Sequence, residues 1–112
     1  MFHFLTTAIQ LIMIVALKNI KDRKVLIING EVDICLLMKA YYLRKNCPVR
    51  IAHSLNDALV TLAEEAQEVI LLDSGISSDL KGTGDQILKA APNARLIITG
   101  PHRANSYFDH AE

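Results

Sequence analysis

Asp73 closes the aliphatic run Val69-Ile70-Leu71-Leu72. A carboxylate at the end of so apolar a stretch is partly desolvated, and its charge calls for water, a metal ion, a hydroxyl or a cation beside it. Such a group can attack phosphorus or ligate a hard cation. It can equally cap the loop Ser74 to Ser78 through side-chain bonds to the backbone, and spacing alone leaves both readings open. Two further aliphatic runs end in polar groups: Val25-Leu26-Ile27-Ile28 runs into Asn29-Gly30-Glu31, and Leu96-Ile97-Ile98 into Thr99-Gly100. In open parallel sheets such strand ends converge beyond the carboxyl edge, where ligands bind.

Other constellations carry less. His3, His53, His102 and His110 have no metal-ligand spacing, and only His102 falls close to one of these strand ends. Gly82-Thr83-Gly84 is glycine-rich, but it lacks the spacing of a phosphate-cradling loop and does not directly follow a strand. Ser, His and Asp are all present, yet no nucleophile-elbow pattern organises them. Cys35 and Cys47 form no CxxC pair and read as reduced, structural thiols.

The elements that position the strand ends alternate. Lys24 to Gly30 reads as a central strand buried on both faces. Ile34, Leu37, Met38, Tyr41 and Tyr42 recur at helical spacing, predicting a helix over about Val32 to Lys45 with Lys39, Arg44 and Lys45 on its other face or in its last turn. Asn46-Cys47-Pro48 breaks it, and Val49 to Ala52 is a short strand. Ser54 is placed to cap a second helix with inward positions Leu55, Ala58, Leu59, Leu62, Ala63 and Ala66, and with Glu64, Glu65, Gln67 and Glu68 outward. After Asp73 a loop runs over Ser74 to Gly84, a short helix over Asp85 to Ala91, and a fourth strand over Arg95 to Gly100. This βαβαβαβ order predicts an α/β domain with a doubly wound parallel sheet.

Hydrophobic residues make up 51% of the 112, and 12 basic side chains balance 12 acidic ones. That composition argues against disorder, and no basic stripe with interleaved aromatics points to nucleic acid. Met1 to Leu17 holds no charged side chain apart from a charge on His3, and Lys18, Lys21, Arg23 and Lys24 follow it. The run is short for a membrane span and its charges stand on the wrong side for a secretory signal. It reads as a hydrophobic extension with a basic flank, residues 1–23, ahead of a domain over 24–112. Packing on this chain or on a second copy, an untranslated start before Met13, and membrane attachment through residues 1–17 remain alternatives.

From Lys24 to Gly100, about two-thirds of the chain, the sequence resembles the receiver domain of two-component response regulators. Val69-Ile70-Leu71-Leu72-Asp73 and Leu96-Ile97-Ile98-Thr99-Gly100 carry the likeness most specifically. The resemblance implies a flavodoxin-like sheet in strand order 2-1-3-4, with Asp73 as phosphoacceptor and Thr99 as the residue whose hydroxyl swings toward it. It also implies a cytoplasmic protein that is not an enzyme, whose partner is a histidine kinase or a downstream signalling protein.

The departures bear on chemistry. The family's acidic pair after the first strand, which holds Mg²⁺, is replaced by Asn29 and Gly30, leaving Asp73 and Glu31 as weak metal ligands. Ser77 stands roughly where a loop-shaping proline is usual, and a fifth strand with its phosphate-pairing lysine is missing or replaced. Lys81 and Arg103 are the nearest substitute cations, without positional support, and read as surface charges. The expectation is an atypical receiver-like signalling module acting by protein–protein interaction, with weak or absent phosphorylation. The alternatives are a functional phosphoacceptor and a small flavodoxin-like ligand-binding domain or enzyme fragment.

Overall fold

The computed structural model describes residues 21–100. The expectations for residues 1–17 and for the tail from Pro101, including Arg103, His3, His102 and His110, lie outside them. Strand β1 is Val25–Ile28, helix α1 Val32–Leu43, β2 Val49–Ala52, α2 Leu55–Glu64, β3 Val69–Asp73, α3 Leu80–Ala90 and β4 Arg95–Thr99. All strand pairs are parallel, in the order β2-β1-β3-β4. The fold is α/β with a four-stranded parallel sheet among the described residues, consistent with the flavodoxin-like class.

Alternation of side chains along each strand builds two cores. On one face Val25, Ile27, Val69, Leu71 and Ile97 join Cys35, Met38 and Tyr42 of α1. On the other, Leu26, Ile28, Ile70, Leu72 and Ile98 meet Ala58 and Leu62 of α2 and Leu80 and Ile87 of α3. All four residues of β1 are fully buried, as expected of a strand covered on both sides.

Helix α1 ends at Leu43, short of Lys45, because Asn46 takes a left-handed φ of 62° and the amides of Lys45 and Cys47 turn back onto the Tyr42 carbonyl. No basic residue sits in its last turn. Its inward stripe is Cys35, Met38 and Tyr42, while Leu37, expected inside, is 50% exposed. Helix α1 is apolar on nearly every side, so periodicity could not say which side faces the sheet.

In α2 the Ser54 hydroxyl accepts from the Asp57 amide at 3.1 Å, the expected cap. Ala63, within the helix, and Ala66, beyond its end at Glu64, are both exposed and not inward as expected, and Gln67, expected outward, is buried.

Helix α3 begins at Leu80, well before Asp85, and a 3₁₀ turn over Ser74–Ile76 occupies the start of the expected loop. Two glycines made Lys81 to Gly84 read as loop. Instead Asp79 caps the helix by accepting from the Gly82 amide, and Leu80, Thr83, Gly84 and Ile87 form its buried stripe. A Cβ on Gly84 would meet Leu96 Cδ2 at 3.5 Å, so the small residue lets the helix lie close to the sheet.

Candidate functional site

The carboxyl ends of β1 and β3 bring Asn29, Gly30, Glu31 and Asp73 to one edge of the sheet, and β4 adds Thr99. Asp73 is partly buried, and its Oδ2 accepts from the Gly75 amide at 3.1 Å. The capping role weighed from sequence is thus present, and it engages one carboxylate oxygen. Burial pushes the Asp73 carboxyl above its ordinary range, the Gly75 amide pulls it down, and the charge of Glu31 pushes it further up.

Glu31 is exposed and precedes the first turn of α1; its amide donates to Asn29 Oδ1 at 2.8 Å. Asn29 is itself buried, and that bond commits its side-chain oxygen inside the turn. Gly30 is exposed with open surroundings: an added Cβ would find only the His53 carbonyl at 3.8 Å and Ile76 Cδ1 at 3.9 Å.

Thr99 pairs with Asp73 in the β3–β4 register but is buried, with its hydroxyl directed to the Leu72 carbonyl at 3.5 Å. Gly100 follows with φ of 135°, a backbone geometry that side chains resist, and an added Cβ would strike the Ser74 hydroxyl.

Compared with models of known protein families and with curated proteins, this chain matches none.

The residues do not make a metal cage. No group of three or more His, Cys, Asp or Glu gathers among the described residues, and of the pair expected to hold Mg²⁺, Asp73 already accepts the Gly75 amide. Lys81 lies on α3 in an exposed pair with Asp85 at 3.5 Å, the surface-charge role expected of it. No described helix is long and apolar enough to cross a membrane.

Sequence reasoning missed one cluster. Cys35 Sγ, buried, donates to the Asn29 carbonyl at 3.4 Å and stands 3.9 Å from His53 Nδ1, which contacts the same carbonyl at 2.9 Å. A carbonyl only accepts, so Nδ1 carries the proton and cannot take one from the thiol. Burial and the charge of Asp73 both push the Cys35 thiol up, so the cluster is a structural tie and not a Cys–His nucleophile. The three residues are far apart in sequence, and nothing in their spacing announced the contact.

Proposed function

We propose that this chain is an atypical receiver-like signalling module of a phosphorelay that works by binding a protein partner, with weak or absent phosphorylation of Asp73. The observation that carries this reading is the acid content of the strand-end site. Asp73 sits at the end of β3 with Glu31 as its acidic neighbour, while Asn29 is turned inward and Gly30 offers no side chain. Two carboxylates, one of them holding a backbone amide, give a phosphoryl group and its counter-ion little to bind.

A partner needs an exposed surface, which the Thr99 side chain does not supply. Thr99 is buried, and the tail lies outside the described residues. Helix α1 instead presents Val32, Leu36, Leu37 and Leu43, each at least half exposed, starting directly after Glu31. Large apolar side chains exposed on one helix, with Val32, Leu36 and Leu43 at spacings that put them on one side, are the kind of surface a protein partner uses. A histidine kinase or a downstream signalling protein docking there would drive any switching through its binding energy.

Intact-mass analysis after incubation with acetyl phosphate and excess Mg²⁺, with Asp73→Asn as control, tests the reading. A folded chain with no phosphoryl increment is expected. An increment that disappears in Asp73→Asn would overturn the proposal in favour of a functional phosphoacceptor.

A further inference from the structure

Of the chain's asparagines, Asn29 alone is followed by a glycine. An asparagine side chain is open to attack by the main-chain nitrogen of the next residue, so in a folded chain the freedom of that nitrogen governs the reaction. At the other described asparagines the nitrogen is held. The Cys47 amide donates to the Tyr42 carbonyl at 3.2 Å, the Asp57 amide to Ser54 Oγ at 3.1 Å, and the Ala94 amide to the Ala91 carbonyl at 3.1 Å. The Gly30 amide donates to no partner among the described residues, and Gly30 is exposed. The other reactant is held ready: Asn29 Oδ1 accepts from the Glu31 amide at 2.8 Å, which folds the side chain back over the Gly30 peptide unit. The same bond stabilises the oxygen that becomes negative when a nitrogen adds to Cγ. Gly30 has no Cβ to obstruct the approach.

We propose that Asn29 is a site of spontaneous deamidation in the folded chain, with aspartate at position 29 as the main product. The Gly30 nitrogen passes its proton to solvent and bonds to Asn29 Cγ, closing a succinimide ring. The Cγ–Nδ2 bond breaks, and Nδ2 takes up a proton and leaves as ammonia. Water then adds to Cγ, the ring bond from Cγ to the Gly30 nitrogen breaks, and that nitrogen regains its proton. The balance is one water consumed and one ammonia released. Opening at the main-chain carbon instead would route the backbone through Cβ and Cγ and lengthen it at a residue held on both sides. The Asn29 amide donates to the Ala52 carbonyl at 3.0 Å, and its carbonyl accepts from Cys35 and from His53. The fold therefore resists the isoaspartyl product that predominates in unstructured peptides. The change adds a negative charge at the sheet edge that Asp73 and Glu31 share, and water does not reverse it. The charge of this edge then records the age of the chain.

The test incubates the full chain at mildly alkaline pH, folded and in urea, and follows it by ion-exchange chromatography and peptide mass mapping. Fragmentation that separates aspartyl from isoaspartyl identifies the product, and Asn29→Asp marks its elution. The folded chain is expected to convert at Asn29, with aspartate in excess, and the aged species to elute with Asn29→Asp. Gly30→Ala, whose added Cβ meets nothing closer than 3.8 Å, should lose most of the conversion. If that variant fails to fold, the wild type in and out of urea decides. Asn29 that converts in urea but keeps its amide in the folded chain would overturn the proposal, because the fold would then protect it. Isoaspartate in excess in the folded chain, or a folded Gly30→Ala that converts as fast as the wild type, would equally overturn it.

Discussion

Thr99 stands opposite Asp73 in the β3–β4 ladder, but its hydroxyl is directed to the carbonyl of Leu72 at 3.5 Å and not to the carboxylate. That bond is at the long limit of a useful hydrogen bond, and the side chain is otherwise buried. Thr99→Val keeps the β-branched shape and removes only the hydroxyl. Its cost is expected to stay within about 1 kcal/mol in urea unfolding. A loss well beyond that would show that the hydroxyl holds the strand end together.

Asp73 should oppose folding when ionised. Its folded-state carboxyl is raised, by burial first and by Glu31 after the opposing Gly75 amide, so the folded chain favours the protonated form. The stabilising contribution of that form is complete below the unfolded-state value near 3.8 and is lost as pH rises through the higher folded-state value. Asp73→Asn keeps an oxygen for the Gly75 amide and removes the charge. At pH 7 it is expected to be more stable than the wild type, a gain that fades as pH falls to the unfolded-state value near 3.8. Denaturation midpoints across this pH range check it.

Gly30→Asp is expected to fold normally, because an added Cβ meets only ordinary contacts and Gly30 does not need a left-handed φ. It places a third carboxylate with Asp73 and Glu31. Mg²⁺ affinity measured by calorimetry should rise roughly tenfold or more. Unchanged affinity would mean that the strand ends lack the geometry of a metal site and not merely its charge.

Tyr42 is fully buried on the α1 face, and its hydroxyl has no hydrogen-bond partner among the described residues. Burial is the main reason its phenol resists ionisation, with Tyr41 and Cys47 adding to it. Tyr42→Phe removes a buried polar atom and keeps the ring. It is expected to leave stability unchanged or raise it by about 1 kcal/mol in thermal or urea unfolding.

The residues that sequence placed well are those whose local chemistry agrees with the fold. Val25 to Ile28 and Val69 to Asp73 are aliphatic runs that a parallel sheet requires, and Ser54 caps α2 as its spacing predicts. Errors arose where tertiary packing outweighed local preference. The glycines of α3 read as loop, but close approach to Leu96 makes Gly84 an asset inside a helix. Leu37 and Cys35 could not be told apart on an almost wholly apolar α1, and Gln67 turned inward at a strand entrance. At the site, the inventory of strand-end residues was readable. The use of Asn29 Oδ1 by the Glu31 amide was not, because a side chain's partner is a matter of geometry.

The Asn29 carbonyl receives the Cys35 thiol and the His53 ring at once. One oxygen thus joins the end of β1, the first turn of α1 and the segment leaving β2. Nδ1 must be the donor of this pair, because a carbonyl only accepts. The rim of the site is therefore tied together by one backbone oxygen. Any partner that moves Glu31 must move three chain segments together.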